Sequence, residues 1–305
     1  MLMTSATPFS CARPEVTLDH VGLYVHSLDD AVATYSRLGF QLTPLSQHSG
    51  THAVTQQLVQ SGLANRCAML QHGYIELLGI VDPNLDLRSV PEGLARYAGM
   101  HILAFSTDAP EQTIDALTAH GFSATPGALE RQVPTREGRE LARFLQVRVP
   151  RVEMPEGLVL TLRHETPELL WQDTFLAHPN GALGLLETVM VVADLEAVTE
   201  RYARYLGCTP CREPHQSRFQ LQRGRLLIVD QSGALAIMPD MKIPTLPYMA
   251  GFTVEVADID VAAALLRNNQ VIFQRVGNDL VIEPAQSSGA AIRFKASKTL
   301  RESNS

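Results

Sequence analysis

Four cysteines in 305 residues, at positions 11, 67, 208 and 211, are too few to staple a chain of this length. A disulfide scaffold is excluded, and a reducing cytoplasm is the expected setting. Cys208-Thr-Pro-Cys211 has the C-x-x-C spacing of redox and zinc sites, but no second such pair accompanies it, so it reads as a buried, incidental pair. Long apolar runs are also missing: nothing approaches the roughly 18–20 residues a spanning helix needs. Basic charge is scarce, with 25 Lys and Arg against 32 Asp and Glu and a net charge of −7. No basic run stands out, so a nucleic-acid footprint is not expected. Residues 1–14 carry no charge before Arg13 and no continuous apolar core, and read as a flexible tail and not a secretory signal. What is present is a globular balance of 45% apolar and 19% charged residues, enough for more than one core.

The chain repeats itself. Residues 18–40 (LDHVGLYVHSLDDAVATYSRLGF) and 185–208 (LLETVMVVADLEAVTERYARYLGC) each give a strand, a helix start, an amphipathic helix and Leu-Gly. Fainter copies run over 99–122 and 251–271. Ser27 with Asp30, and Asp108 with Glu111, have capping-box spacing, while Asp194 and Asp258 occupy the same entry position in the other copies. Further β-rich runs follow each helix: 40–45, 66–71 and 74–80 in the first copy, 142–149 and 157–163 with a weaker run near Phe122 in the second, and 271–276, 279–283 and 290–295 in the last. The expected fold is α+β: four βαβββ modules in two pairs. The expected organisation is a tail at 1–14, a first domain at 15–167, a linker at 168–184 packed through Leu169, Leu170, Trp171 and Phe175, a second domain at 185–297, and a tail at 298–305.

Strand alternation sorts side chains by face. Val21, Leu23 and Val25 are set to pack on a helix, which leaves His20 and Tyr24 on the other face. The same sorting gives Glu76, His101, Gln146, Arg148, Thr161 and Arg163 to that face. Two histidines and a carboxylate converging on a concave, partly apolar face are the composition of a divalent-metal site with open positions. A hydrogen-bonded strand histidine is the plainer reading of each alone. Arg148 and Arg163, and more weakly Arg66, are candidates to bind an anionic group. His48 and His52 fall in a Gly/Ser/Thr-rich loop and read as solvated, and His164 is one residue out of phase with the cavity. The second half has Glu187 and Phe252 where the first has His20 and His101, so no metal is expected there; it would serve as scaffold, lid or a homodimer face.

The motifs LDHVGLYVHSLDDA, NRCAMLQHGYIELLG and GMHILAFST resemble the vicinal oxygen chelate superfamily, and within it the glyoxalase-like and bleomycin-resistance proteins. The resemblance implies a glyoxalase-like fold, in which each pair of modules forms a cupped eight-stranded mixed sheet with helices outside and a metal in the cup. It implies ligands at His20, Glu76, His101 and the place held by Thr161. Glyoxalase I carries a proton-shuttling carboxylate at that fourth place, so the threonine points away from its activity. The remaining two-His-one-Glu set is similar to that of the extradiol dioxygenases, which hold ferrous iron in the second pair of modules instead. The function implied is a divalent-metal-dependent lyase or isomerase (iron, manganese, zinc, nickel or cobalt) acting on a small vicinally oxygenated substrate. His20, Glu76 and His101 would hold the metal, Glu76 would also be catalytic, and Tyr24, Gln146, Arg148, Thr161 and Arg163 would bind substrate. The rival implied readings are a non-catalytic ligand-sequestering protein and a ring-cleaving dioxygenase.

Overall fold

The structure, a computed structural model, describes residues 15–51, 58–136, 138–238 and 241–297. Both expected tails, Cys11 and His52 lie outside the described residues. The first half runs β1 (Thr17–Val25), α1 (Leu28–Arg37), β2 (Ser46–Thr51), β3 (Leu58–Met69), β4 (Tyr74–Ile80), α2 (Val90–Arg96), β5 (Gly99–Ser106), α3 (Pro110–Ala119), β6 (Thr125–Thr135), β7 (Gly138–Arg148) and β8 (Leu158–His164). Its strands pair in the order β2-β3-β4-β1-β5-β8-β7-β6. The second half runs β9 (Ala182–Val191), α4 (Leu195–Leu206), β10 (Cys211–Glu213), β11 (Gln216–Gln220), β12 (Arg225–Val229), α5 (Gln231–Ile237), β13 (Tyr248–Val256), α6 (Ile259–Asn268), β14 (Gln274–Val276), β15 (Asp279–Ile282) and β16 (Ala291–Ala296). It repeats the order as β10-β11-β12-β9-β13-β16-β15-β14. The halves join where Met249 of β13 pairs with Met100 of β5.

Local chemistry starts the helices as expected in three of the four repeated units. Ser27, Asp194 and Asp258 are N-caps whose side-chain oxygens accept from the backbone of Asp30, Ala197 and Val261. The fourth differs: α3 is capped by Ala109 with no side-chain bond, because Pro110 supplies the preset first helical residue and moves the start one position past Asp108. Phe40, Phe122 and Val271 are not strand residues, contrary to expectation. Each sits just past a helix and returns its N–H to the carbonyl five residues back, at 3.0, 3.0 and 2.9 Å, which closes the helix end and buries the side chain.

The helix-bearing faces of both halves share one core. The Tyr35 hydroxyl of α1 donates to the Ser287 carbonyl, and Phe40 meets Phe294 at 5.8 Å. Tyr205 of α4 packs against Phe105 and Phe122 of the first half. Residues 168–184 wrap back onto the first half, with Leu170 buried and the Trp171 indole N–H donating to the Leu70 carbonyl at 2.9 Å. Of the C-x-x-C pair, Cys211 is exposed and not buried, since it opens the short edge strand β10. Among the described residues no helix is long and apolar enough to cross a membrane.

Candidate functional site

The face of the first sheet turned away from the helices curls around a cavity of about 460 Å³ to which all eight strands contribute. The outer strands β2 and β6 approach each other, and the Ser46 hydroxyl donates to the Gln132 carbonyl at 3.1 Å, closing the cup. Parallel pairing of β1 with β4 sets His20 beside Tyr74 and Gly22 beside Glu76 on the cup face. His20, Tyr24, Glu76, Gln146 and Arg148 all line the cavity, where alternation placed them.

A register shift between Leu18 and His20 against β5 leaves Asp19 unpaired, and Leu18 and Val21 remain in the helix-side core. The bulge turns Asp19 onto the same side as His20. His20 Nδ1 donates to Asp19 Oδ1 at 2.6 Å, and His164 Nε2 donates to Asp19 Oδ2 at 3.0 Å. Burial alone would raise the Asp19 pKa, but the bonds and charge of His164 and His20 outweigh it and hold the carboxyl below its ordinary range. The His20 ring stacks on Tyr74 at 4.2 Å, and its Nε2 is left open to the cavity.

Glu76 is 7% exposed and belongs to a second polar group. Asn65 Nδ2 donates to its Oε1, and the Asn65 carbonyl accepts from Arg131 Nη1 at 2.9 Å, so the amide bridges carboxylate and guanidinium. His48 Nε2 lies 3.5 Å from Glu76 Oε1. Burial pushes the Glu76 pKa up, but His48, His20 and Arg131 outweigh it and hold it at about 2. Neither His48 nor Arg131 was legible as a site residue. His48 is buried on β2 and not solvated in a loop, because β2 folds over the cup mouth instead of extending from Phe40. For Arg131 a signal existed: in Leu129-Glu130-Arg131-Gln132-Val133 it shares the parity of two apolar residues.

His101 does not join His20 and Glu76. The pairing of β1 with β5 jumps from Gly22–Ile102 to Leu23–Met100, leaving His101 as an unpaired bulge residue. Its ring stacks between Tyr24, at 4.8 Å, and Tyr97, at 4.1 Å. Tyr24 lines the cavity and stands between it and the imidazole. Nε2 donates to the Tyr97 carbonyl at 2.8 Å, and Nδ1 is buried without a partner beneath α2, where a Cβ on Gly93 would stand 3.4 Å from it.

The expectation for β8 is inverted. Leu160 pairs with Ala104 on the cup face and Thr161 with Phe105 on the helix face. Thr161 is therefore outside the cavity, bonded to the Tyr205 hydroxyl at 3.1 Å, and Arg163 pairs with Glu165 at the surface at 2.6 Å. The physical reason is that the cup is itself lined with leucine (Leu158, Leu160 and Leu162), so the apolar set of this strand marks the cavity and not the helix side. The same inversion brings His164 into phase. Arg66 shares the opposite face of β3 with Ala64 and Ala68, away from the cup.

The glyoxalase-like domain family model matches residues 18–206, more than half of the chain. The chain belongs to the glyoxalase-like domain family. It is thereby a member of the vicinal oxygen chelate superfamily. No curated protein matches the sequence. Among solved structures, a hypothetical protein from Staphylococcus aureus superposes with a TM-score of 0.63 at 12% identity, over 92% of this chain and 100% of that one. A mutant of 4-hydroxymandelate synthase from Streptomyces coelicolor gives 0.54 at 14% identity, over 93% of each chain. A xylose isomerase-like TIM barrel/4-hydroxyphenylpyruvate dioxygenase fusion protein gives 0.53 at 12% identity, over 96% of this chain and 51% of that one. At these identities the likeness is one of fold.

The divalent metal expected of such a protein would need three convergent donors. Among the described residues no group of three or more His, Cys, Asp or Glu side chains is placed to hold an ion. His20 offers one nitrogen, one Glu76 oxygen is already engaged, and His101 is spent in its stack, so the residues do not fit the expected three-ligand centre. Among the described residues, the corresponding face of the second half of this glyoxalase-like chain is largely filled. Met238 and Met241, following α5, pack with Val191, Tyr248 and Val281 over its sheet, leaving about 30 Å³. Glu187, at the place of His20, is paired with Arg225, and Phe252 is buried in the core.

Proposed function

We propose that the first-half cup binds a small, elongated organic anion directly, with no metal ion between protein and ligand. The observation that carries this reading is the pair of arginines on the cavity wall. Arg148 and Arg88 are close enough that burial and then the Arg88 charge lower the Arg148 pKa, and neither guanidinium has a carboxylate partner among the described residues. Arg148 donates twice to the Gln146 side-chain oxygen, and Arg88 donates to the Ser49 carbonyl at 3.1 Å, which aims both without neutralising either. Two uncompensated cations above a leucine-lined wall favour a ligand with an acidic end and an apolar body. In this reading the arginines, and not a metal ion, hold the small-molecule ligand.

A suitable probe is 4-oxo-4-phenylbutanoate, compared with its uncharged amide by titration calorimetry. The acid is expected to bind at least about tenfold more tightly than the amide, and Arg148→Ala is expected to remove about that factor, equivalent to roughly 1.4 kcal/mol. Binding is expected to be unchanged by EDTA. Equal affinity for acid and amide, absence of binding, or loss of binding on chelation would each sink the reading.

A further inference from the structure

We infer that the cup contains a metal-free proton-transfer site, in which His20 Nε2 takes a proton from a ligand carbon and Asp19 holds the ring for that task. The inference rests on the ligand reading above and deepens it. Asp19 and His20 share the cup face only because of the bulge between Leu18 and His20, and a two-residue period would have set them on opposite faces. The Asp19 carboxylate is 3% exposed and is shared between two imidazoles, through Oδ1 at 2.6 Å and Oδ2 at 3.0 Å. With Nδ1–H bonded to Asp19, the neutral His20 ring carries its lone pair on Nε2, which faces the cavity. Tyr74 stacked beneath the ring, and His164 fixed by Trp171 at 4.8 Å, prevent the pair from turning away. A carboxylate behind a histidine that faces a pocket is the arrangement that fixes a tautomer and stabilises the imidazolium.

The step balances without a co-reactant. Nε2 takes the proton from a carbon next to a ligand carbonyl, the C–H electron pair moves into the C=C bond of an enolate, and the carbonyl π pair moves onto oxygen. The Arg131 guanidinium, which lines the same cavity, is the cation available to the developing oxyanion. Return of the proton from the imidazolium to the same carbon restores the ketone and regenerates the base, so the step is read as hydrogen exchange at that carbon.

The test uses the full-length protein with 4-oxo-4-phenylbutanoate in D2O, following loss of the proton signal at the carbon next to the ketone and measuring binding in parallel. Wild type is expected to accelerate exchange at least about 100-fold over buffer, with EDTA present. His20→Gln is expected to abolish the acceleration while binding the probe within about threefold. Asp19→Asn, acting through position only, is expected to lower exchange by about 100-fold or more at saturating probe with the same Kd, and to remove the fixed pyridine-type Nε2 signal of His20 in 15N NMR. A wild type that binds without exchange, or a folded His20→Gln that exchanges like wild type, overturns the proton-transfer site and leaves the ligand reading standing. A probe that does not bind overturns both.

Discussion

His101 shows at the scale of one residue how a metal-ligand pattern can be converted into a structural element. It is 1% exposed, and burial pulls its pKa from 6.5 to about 4. The unfolded chain therefore takes up a proton near pH 6.5 that the folded protein refuses until about pH 4. Stability contributed by this ring is present above pH 6.5 and is lost as the pH falls through that window. His101→Phe keeps the three-ring stack and removes the titration. Urea midpoints measured from pH 7 to pH 4 should fall less steeply for the variant than for wild type, and parallel curves would contradict this account. Gly22 gives a steric counterpart. A Cβ there would stand 2.7 Å from the end of Ile102 and 2.8 Å from its Cβ, so Gly22→Ala must displace β5 beside its bulge. The expected cost is about 1–3 kcal/mol in denaturant unfolding.

At the scale of elements, the helices follow from short-range chemistry and the strand faces do not all do so. The caps at Ser27, Asp194 and Asp258 were readable because capping needs only residues within one turn. α3, like α2, has a cap that makes no side-chain bond, so Ala109→Asp is expected to stabilise the protein by about 0.5–1 kcal/mol in thermal or urea unfolding. Alternation placed Tyr24, Glu76, Gln146 and Arg148 on the cup face because β1, β4 and β7 carry polar residues there. It failed on β8, where both faces are buried and the leucines point into the cavity, so hydrophobicity no longer distinguishes inside from outside.

Across the whole molecule the two halves interlock. Tyr97, which holds His101, is itself held by the second half, through an edge contact with Tyr248 at 4.9 Å and the Met249 N–H on its hydroxyl at 3.3 Å. Thr161 bonds Tyr205, and Tyr35 bonds the Ser287 carbonyl. A fragment of residues 15–181 would expose the helix-bearing core that these contacts cover. It is expected to bind a hydrophobic dye and to unfold at a lower temperature and less cooperatively than the full chain; a fragment with full-chain stability would show that the shared core is dispensable. The filled second cup and the open first cup thus have complementary roles, one supporting the walls of the other.

The sequence by itself determined the repeat, the strand–helix–strand order and the positions of His20 and Glu76, since those depend on periods of two and 3.6 residues along the chain. Only the tertiary structure decided that Asp19 turns to His20, that His101 leaves the cup, and that His48 enters it. Bulges arise from the pairing of two strands distant in sequence, and the stack on His101 is completed by residues of the other half. No local pattern carries that information.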